Sequence, residues 1–207
     1  MIHRNDVSLV SGKYFDWSNI ASNTHLKIID VASGLASTGR YCGQIPGGVY
    51  NVAHHSILVS KLLAEKYPMD YQLQFDGLMH DATEALMGDI TSPLKKLLPD
   101  YRRIESELAY FMGMWFGFDP RHDDRVRHAD LLALAIEKLT LLGNNDHWGC
   151  LEDVGITTAS LAFHLPRPIS EYLSEPMSHS DSRNAFLIRY NELVMRGGQR
   201  VHLSNPA

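Results

Sequence analysis

The chain has only two cysteines, Cys42 and Cys150, in 207 residues. That is too few for a disulfide scaffold or a zinc ribbon, and it fits a reducing cytosol. It also lacks long hydrophobic runs. No window approaches the roughly 18 uncharged apolar residues of a membrane span, and Met1-Ile2-His3-Arg4-Asn5-Asp6 has no signal-peptide stretch. A cytoplasmic protein with no membrane partner is expected. Basic excess is missing as well: Lys and Arg total 19 against 24 Asp and Glu, a net charge of -5. This argues against general nucleic-acid binding while leaving room for a local cationic pair that holds a phosphate. Repeats, low-complexity segments and alternating runs that would demand a sheet are all absent. What remains is ordinary globular usage, 44% hydrophobic and 21% charged, at a length that suits one domain.

Periodicity predicts helix over most of the chain. Ile28, Val31, Ala32, Leu35 and Ala36 recur at three- and four-residue spacing, predicting a helix over 28–38 that stops at Gly39. Residues 42–50, with Pro46-Gly47-Gly48, read as a loop. Asn51 is a good N-cap for a helix to about residue 67, with Val52, Val59, Leu62 and Leu63 on its apolar stripe and Pro68 as its end. One continuous helix is expected over 71–87, stopped by Gly88, then a short turn between Pro93 and Pro99. Further helices are expected over about 100–116, 123–142 and 182–195, whereas 143–179 is poorly patterned. These elements predict an all-α single domain over 1–207, with a core at about 28–142 and a C-terminal extension, 143–207, packed on it. Phe111, Trp115 and Phe116 are expected to be exposed, which would favour a homodimer.

The chemistry is concentrated in the run His80-Asp81-Ala82-Thr83-Glu84-Ala85-Leu86-Met87-Gly88-Asp89, where an imidazole and three carboxylates interrupt apolar sequence. Charged groups seldom enter a core unpaired, so something must hold them there. His55 shares the buried stripe of its helix, although the adjacent His54 competes for the inward position. Asp130 sits between Ala129 and Leu131 in the middle of an apolar helix, where aspartate has no local reason to be, with Leu134 and Glu137 roughly along its own face. Three packed helices would bring His55, His80, Asp81 and Asp130 to one point. Two imidazoles with two carboxylates suit one divalent transition ion (Mn, Fe, Co, Ni or Zn) better than Mg, and would leave positions open for water and substrate.

The segments Val52-Ala53-His54-His55-Ser56, His80-Asp81-Ala82-Thr83-Glu84, Gly88-Asp89-Ile90-Thr91-Ser92-Pro93-Leu94-Lys95 and Ala129-Asp130 resemble the HD-domain metal-dependent phosphohydrolases. Within that group they are similar to the bacterial 5'-deoxynucleotidases of the YfbR type and to phage deoxyadenosine triphosphate triphosphohydrolases. The likeness runs from about Asp30 to Leu139. It implies an HD-domain helical bundle with His55, His80, Asp81 and Asp130 as metal ligands. It implies Glu84 as the catalytic carboxylate near the water, and Asp89 as an aid in placing water or sugar. Arg40, fifteen residues before His55, matches the family's phosphate-binding arginine, and Lys95 matches a second cationic contact. Tyr41 stands where the 5'-deoxynucleotidases have a tryptophan, which keeps an aromatic platform and leaves sugar choice open.

The resemblance implies a cytoplasmic phosphohydrolase whose partner is a small-molecule nucleotide. The expected activity releases phosphate from deoxynucleoside monophosphates. One alternative releases triphosphate from a deoxynucleoside triphosphate, with Lys95, Lys96, Arg102 and Arg103 as candidate cations. Another is a regulator that binds metal and nucleotide without turnover.

Overall fold

The computed structural model describes residues 5–121, 123–143, 146–152, 154–157, 160–173 and 178–200. The chain opens with a small antiparallel hairpin, β1 (Asp6–Ser8) and β2 (Tyr14–Asp16), paired Asp6 with Asp16, Val7 with Phe15 and Ser8 with Tyr14. No sheet was expected from the sequence. Strands of three residues are too short to display alternation, and the turn is carried by Gly12 at φ 79. The fold is therefore mostly helical rather than purely so.

Helix α1 (Ile28–Ser37) begins where Asp30 accepts the backbone N–H groups of Lys27 and Ser11. Helix α2 (Val52–Lys66) starts at Asn51, whose side chain accepts the His54 N–H and donates to Ser182 Oγ. The predicted helix over 71–87 is interrupted. Helix α3 (Tyr71–Met79) ends at His80, residues 80–83 form a turn, and α4 (Glu84–Met87) follows. The cause is local. His80 Nδ1 donates to the Gly77 carbonyl at 2.8 Å, the acceptor that a continuous helix would present to the Asp81 N–H. The backbone then tightens into i→i−3 bonds, Ala82 to Met79 and Glu84 to Asp81.

A short α5 (Ser92–Lys95) leads to α6 (Pro99–Phe116), which opens on Pro99 and closes on left-handed Gly117. Helix α7 (Asp124–Thr140) is capped by Asp123, which accepts the Arg125 N–H. Short turns α8 (Gly149–Glu152) and α9 (Leu161–His164) occupy the region without a clear pattern, and α10 (His179–Met195) completes the bundle. The outermost residues of the expected 1–207 domain and parts of 143–179 lie outside the described residues.

Helix α2 is buried on nearly every side from Val52 to Ser60 and divides the interior in two. One cluster gathers Phe15, Val31, Leu35, Phe75, Leu78, Met112 and Phe186. The other joins Val59, Leu62 and Leu63 of α2 to Val126, Ala133 and Ile136 of α7. Helix α10 contributes Phe186, Tyr190 and Leu193 to the first cluster.

The aromatic face expected on α6 is not exposed. Phe116 is buried, and Phe111 and Trp115 pack at the margin of the first cluster. The helix lies with Leu108, Met112 and Phe116 inward and carries its neighbours against the core. Tyr110 and Met114 are the exposed apolar groups there, so the reason for expecting a homodimer falls away. Among the described residues no helix is long and apolar enough to cross a membrane. Both cysteines are exposed and free.

Candidate metal centre

Three elements converge on one point. His55 comes from the first turn and a half of α2, His80 and Asp81 from the turn after α3, and Asp130 from the middle of α7. One ligand atom each from His55, His80 and Asp130 lie within 4.8 Å of one another. Asp130 Oδ1 is 3.0 Å from His55 Nε2 and 3.8 Å from His80 Nε2. Asp81 adds Oδ2 at 3.1 Å from His80 Nε2 and 3.6 Å from His55 Nε2.

Both imidazoles have a fixed tautomer. His55 Nδ1 is 2.6 Å from Glu137 Oε1, and His80 Nδ1 is 2.8 Å from the Gly77 carbonyl oxygen. A carboxylate and a carbonyl can only accept, so each Nδ1 carries a proton and each neutral ring turns its Nε2 lone pair inward. Two lone pairs then face two carboxylates, which is repulsive until a proton or a cation lies between them. Burial opposes charge on His80, but Asp81 and Asp130 overcome it and raise its pKa well above the ordinary value. His55 is also raised despite burial and the nearby Arg40 charge, through Glu137 and Asp130. Burial would raise Asp130, yet the two histidines hold it far below the usual carboxylate range. The donor set, its spacing and its charge thus fit a divalent transition ion.

Glu137 is a participant that reading the sequence leaves without a role. It is completely buried and accepts from His55 Nδ1, from Arg40 Nε at 3.2 Å and from the Tyr41 hydroxyl at 2.6 Å. Burial raises its pKa, but Arg40, His55 and these bonds bring it down to about 2. Its position seven residues after Asp130 places it two turns along the same face, and a charged residue there needs partners. That was the available signal.

Arg40 follows α1 and places Nη1 3.7 Å from Asp81 Oδ2. It is held in a turn, Arg40–Gly43, in which Tyr41 and Cys42 adopt φ 56 and 53. Left-handed backbone at two successive non-glycine residues is costly, so the surroundings must enforce it. The Tyr41 hydroxyl bond to Glu137 is one such tether. The Tyr41 ring lies under the Arg40 guanidinium, 5.5 Å from its centroid.

Glu84 opens α4 and is almost wholly buried, with Oε2 lacking a hydrogen-bond partner among the described residues. Burial, reinforced by Asp81 and Asp89, raises its pKa well above the ordinary value. Lys95 Nζ lies 3.7 Å from Glu84 Oε1 and 2.7 Å from Glu105 Oε1. Asp89 is partly buried and raised in turn, by burial first and against the charge of Arg40. Gly34 makes the arrangement possible on the α1 side, since a Cβ there would stand 2.3 Å from the Ala85 carbonyl oxygen. His54, the alternative inward histidine, is buried without joining the cluster. It packs on Tyr50 with ring centroids 4.8 Å apart, and burial lowers its pKa to about 4. Of the other candidate cations, Lys96, Arg102 and Arg103 are exposed, and Arg103 faces Glu107.

These features define a mostly helical protein in which two buried imidazoles and two partly exposed carboxylates are brought together by three elements. The uncharacterized protein YfdR of Escherichia coli strain K12 is 32% identical over 189 residues, covering 90% of this chain and 94% of YfdR. The chain belongs to the YfdR family. An uncharacterized protein of Rhodobacter capsulatus is 35% identical over 95 residues, 44% of this chain and 48% of that protein. No family model matches the chain.

Proposed function

We propose that the chain is an HD-domain metal-dependent phosphohydrolase that releases phosphate from deoxynucleoside monophosphates. The observation that carries this reading is the pair of imidazoles whose outer nitrogens are tied to Glu137 and Gly77, so that both inner nitrogens meet Asp130 and Asp81. Structural ion pairs do not need two such tautomer locks, whereas a metal ligand set does.

His55, His80, Asp130 and Asp81 would hold the ion, which supplies an acidified water and a Lewis acid for the phosphoryl oxygens. Glu84, buried beside Asp81 with its pKa raised above the ordinary value, would take the proton from the attacking water and return it to the leaving oxygen. Arg40, fixed by Glu137, offers Nη1 beside Asp81 to the phosphoryl oxygens as their charge redistributes. Asp89 borders the same charges and would help place water or sugar.

Charge balance favours a monophosphate over a triphosphate. Arg40 is bonded to Glu137 and Lys95 to Glu105. A triphosphate adds anionic groups for which the exposed Lys96, Arg102 and Arg103 provide no enclosed site.

The test is incubation of the protein with deoxynucleoside mono- and triphosphates under Mn, Co, Fe, Ni and Zn in turn. The expected products are inorganic phosphate and a deoxynucleoside. Release of triphosphate would shift the assignment to the triphosphohydrolase reaction, and no release from any substrate would favour a binding regulator.

A further inference from the structure

A groove of about 390 Å³ is lined by His80, Asp81, Lys95, Ser106, Tyr110 and Arg121, among others. Its size is that of a small-ligand site, and its lining includes two of the candidate metal ligands. Tyr110 is 56% exposed. Its ring is nonetheless braced: it meets Phe111 edge-on with centroids 5.3 Å apart, and Phe111 in turn stacks on Trp115 at 5.9 Å. Phe111 and Trp115 pack against the core, so the Tyr110 ring is a supported platform rather than a loose surface side chain. Little ordering entropy remains to be lost when a flat group settles on it.

The polar groups of the groove indicate what kind of flat group. Its two cations are already neutralised: Lys95 by Glu105 at 2.7 Å and Arg121 by Asp119 at 2.9 Å. A second anionic group therefore gains little there. An uncharged heterocycle with hydrogen-bonding edges meets a ring, the wall of Ala109 and Pro120, and polar side chains at its rim. We propose that this groove binds the nucleoside half of the substrate, with the base stacked on Tyr110. The proposal rests on the phosphohydrolase reading for the position of the phosphate, and it names the residue that recognises the other end.

The test uses the Mn-loaded full chain carrying Glu84→Gln to stop turnover, with calorimetric titration of deoxyadenosine monophosphate and of 2-deoxyribose 5-phosphate, which lacks a base. Adding Tyr110→Ala should weaken the nucleotide about tenfold, as loss of one base–aromatic stack does, and leave the base-free sugar phosphate unchanged. Tyr110→Phe, which keeps the ring, should restore nucleotide binding. Equal nucleotide affinity with and without the ring overturns the proposal, as does equal weakening of both ligands or absence of nucleotide binding. Wild-type turnover is read separately: Tyr110-dependent binding without hydrolysis would keep the groove and remove the phosphohydrolase reading.

Discussion

His55 Nδ1 and Glu137 Oε1 lie 2.6 Å apart with both side chains completely buried. One carboxylate thus fixes the tautomer of a candidate ligand while its other oxygen holds Arg40 and Tyr41. The inward nitrogen of His55 and the guanidinium of Arg40 are positioned by a single side chain on α7.

Replacement of Glu137 by Gln is therefore expected to disturb two properties at once. An amide cannot accept from three donors with the strength of a carboxylate, and its NH₂ group faces a donor on one side. Metal affinity should fall about 10–100-fold, the range for removal of a carboxylate behind a ligating histidine. Competition with a chromophoric chelator measures this. Unchanged affinity would mean that the Glu137 bond does not tune His55.

Removal of the candidate ligands themselves should act more severely. His80→Ala and Asp130→Ala are each expected to leave almost no metal after dialysis, as read by elemental analysis, whereas Glu84→Gln should keep it. Metal affinity should also decline as pH falls, because Asp81 and Asp130 draw protons onto His80 as they would draw a cation. Full metal retention by Asp130→Ala would remove that residue from the ligand set.

The candidate ligands were legible because each breaks a local rule. Asp130 interrupts an apolar helix, and His55 and His80 occupy positions that periodicity assigns to the core. Helix starts at Asn51 and Asp123 were legible because a side-chain oxygen caps the exposed N–H groups. The break after α3 was not, because Ala82 and Thr83 preserve helical spacing and the break depends on a ring bonding back to Gly77. Glu137 had no assigned role because its donors lie 82, 96 and 97 residues away. The left-handed turn at Tyr41 and Cys42 was hidden for a similar reason: neither residue is glycine, and tertiary contacts impose the conformation.

Glu84 yields a pH prediction of definite sign. Burial, Asp81 and Asp89 raise its folded pKa above the ordinary 4.5. Between these values the unfolded chain has released the proton and the folded chain retains it, so this group costs stability as pH rises from about 4.5 through the folded value. In metal-free protein Glu84→Gln should be more stable than wild type at about pH 8 and similar at about pH 4. Urea unfolding at the two pH values reads the difference. A variant less stable at the higher value would contradict the raised pKa.

Gly34 offers a test of how α1 sets the position of Glu84. A Cβ at residue 34 would approach the Ala85 carbonyl oxygen to 2.3 Å and its Cα to 2.8 Å, both backbone atoms of α4. Alanine in mid-helix gains about 1 kcal/mol of propensity over glycine, but overpacking against backbone costs about 1–3 kcal/mol and has no flexible side chain to absorb it. The clash should win, lowering thermal stability and moving α4 away from α1. Glu84 immediately precedes Ala85, so Gly34→Ala should reduce turnover while metal content stays near wild type, since none of His55, His80 and Asp130 lies on α4. Gly149→Ala, which meets nothing within 4 Å among the described residues, is the matched control and should change neither property. Equal behaviour of the two variants would show that the α1–α4 approach does not control the carboxylate.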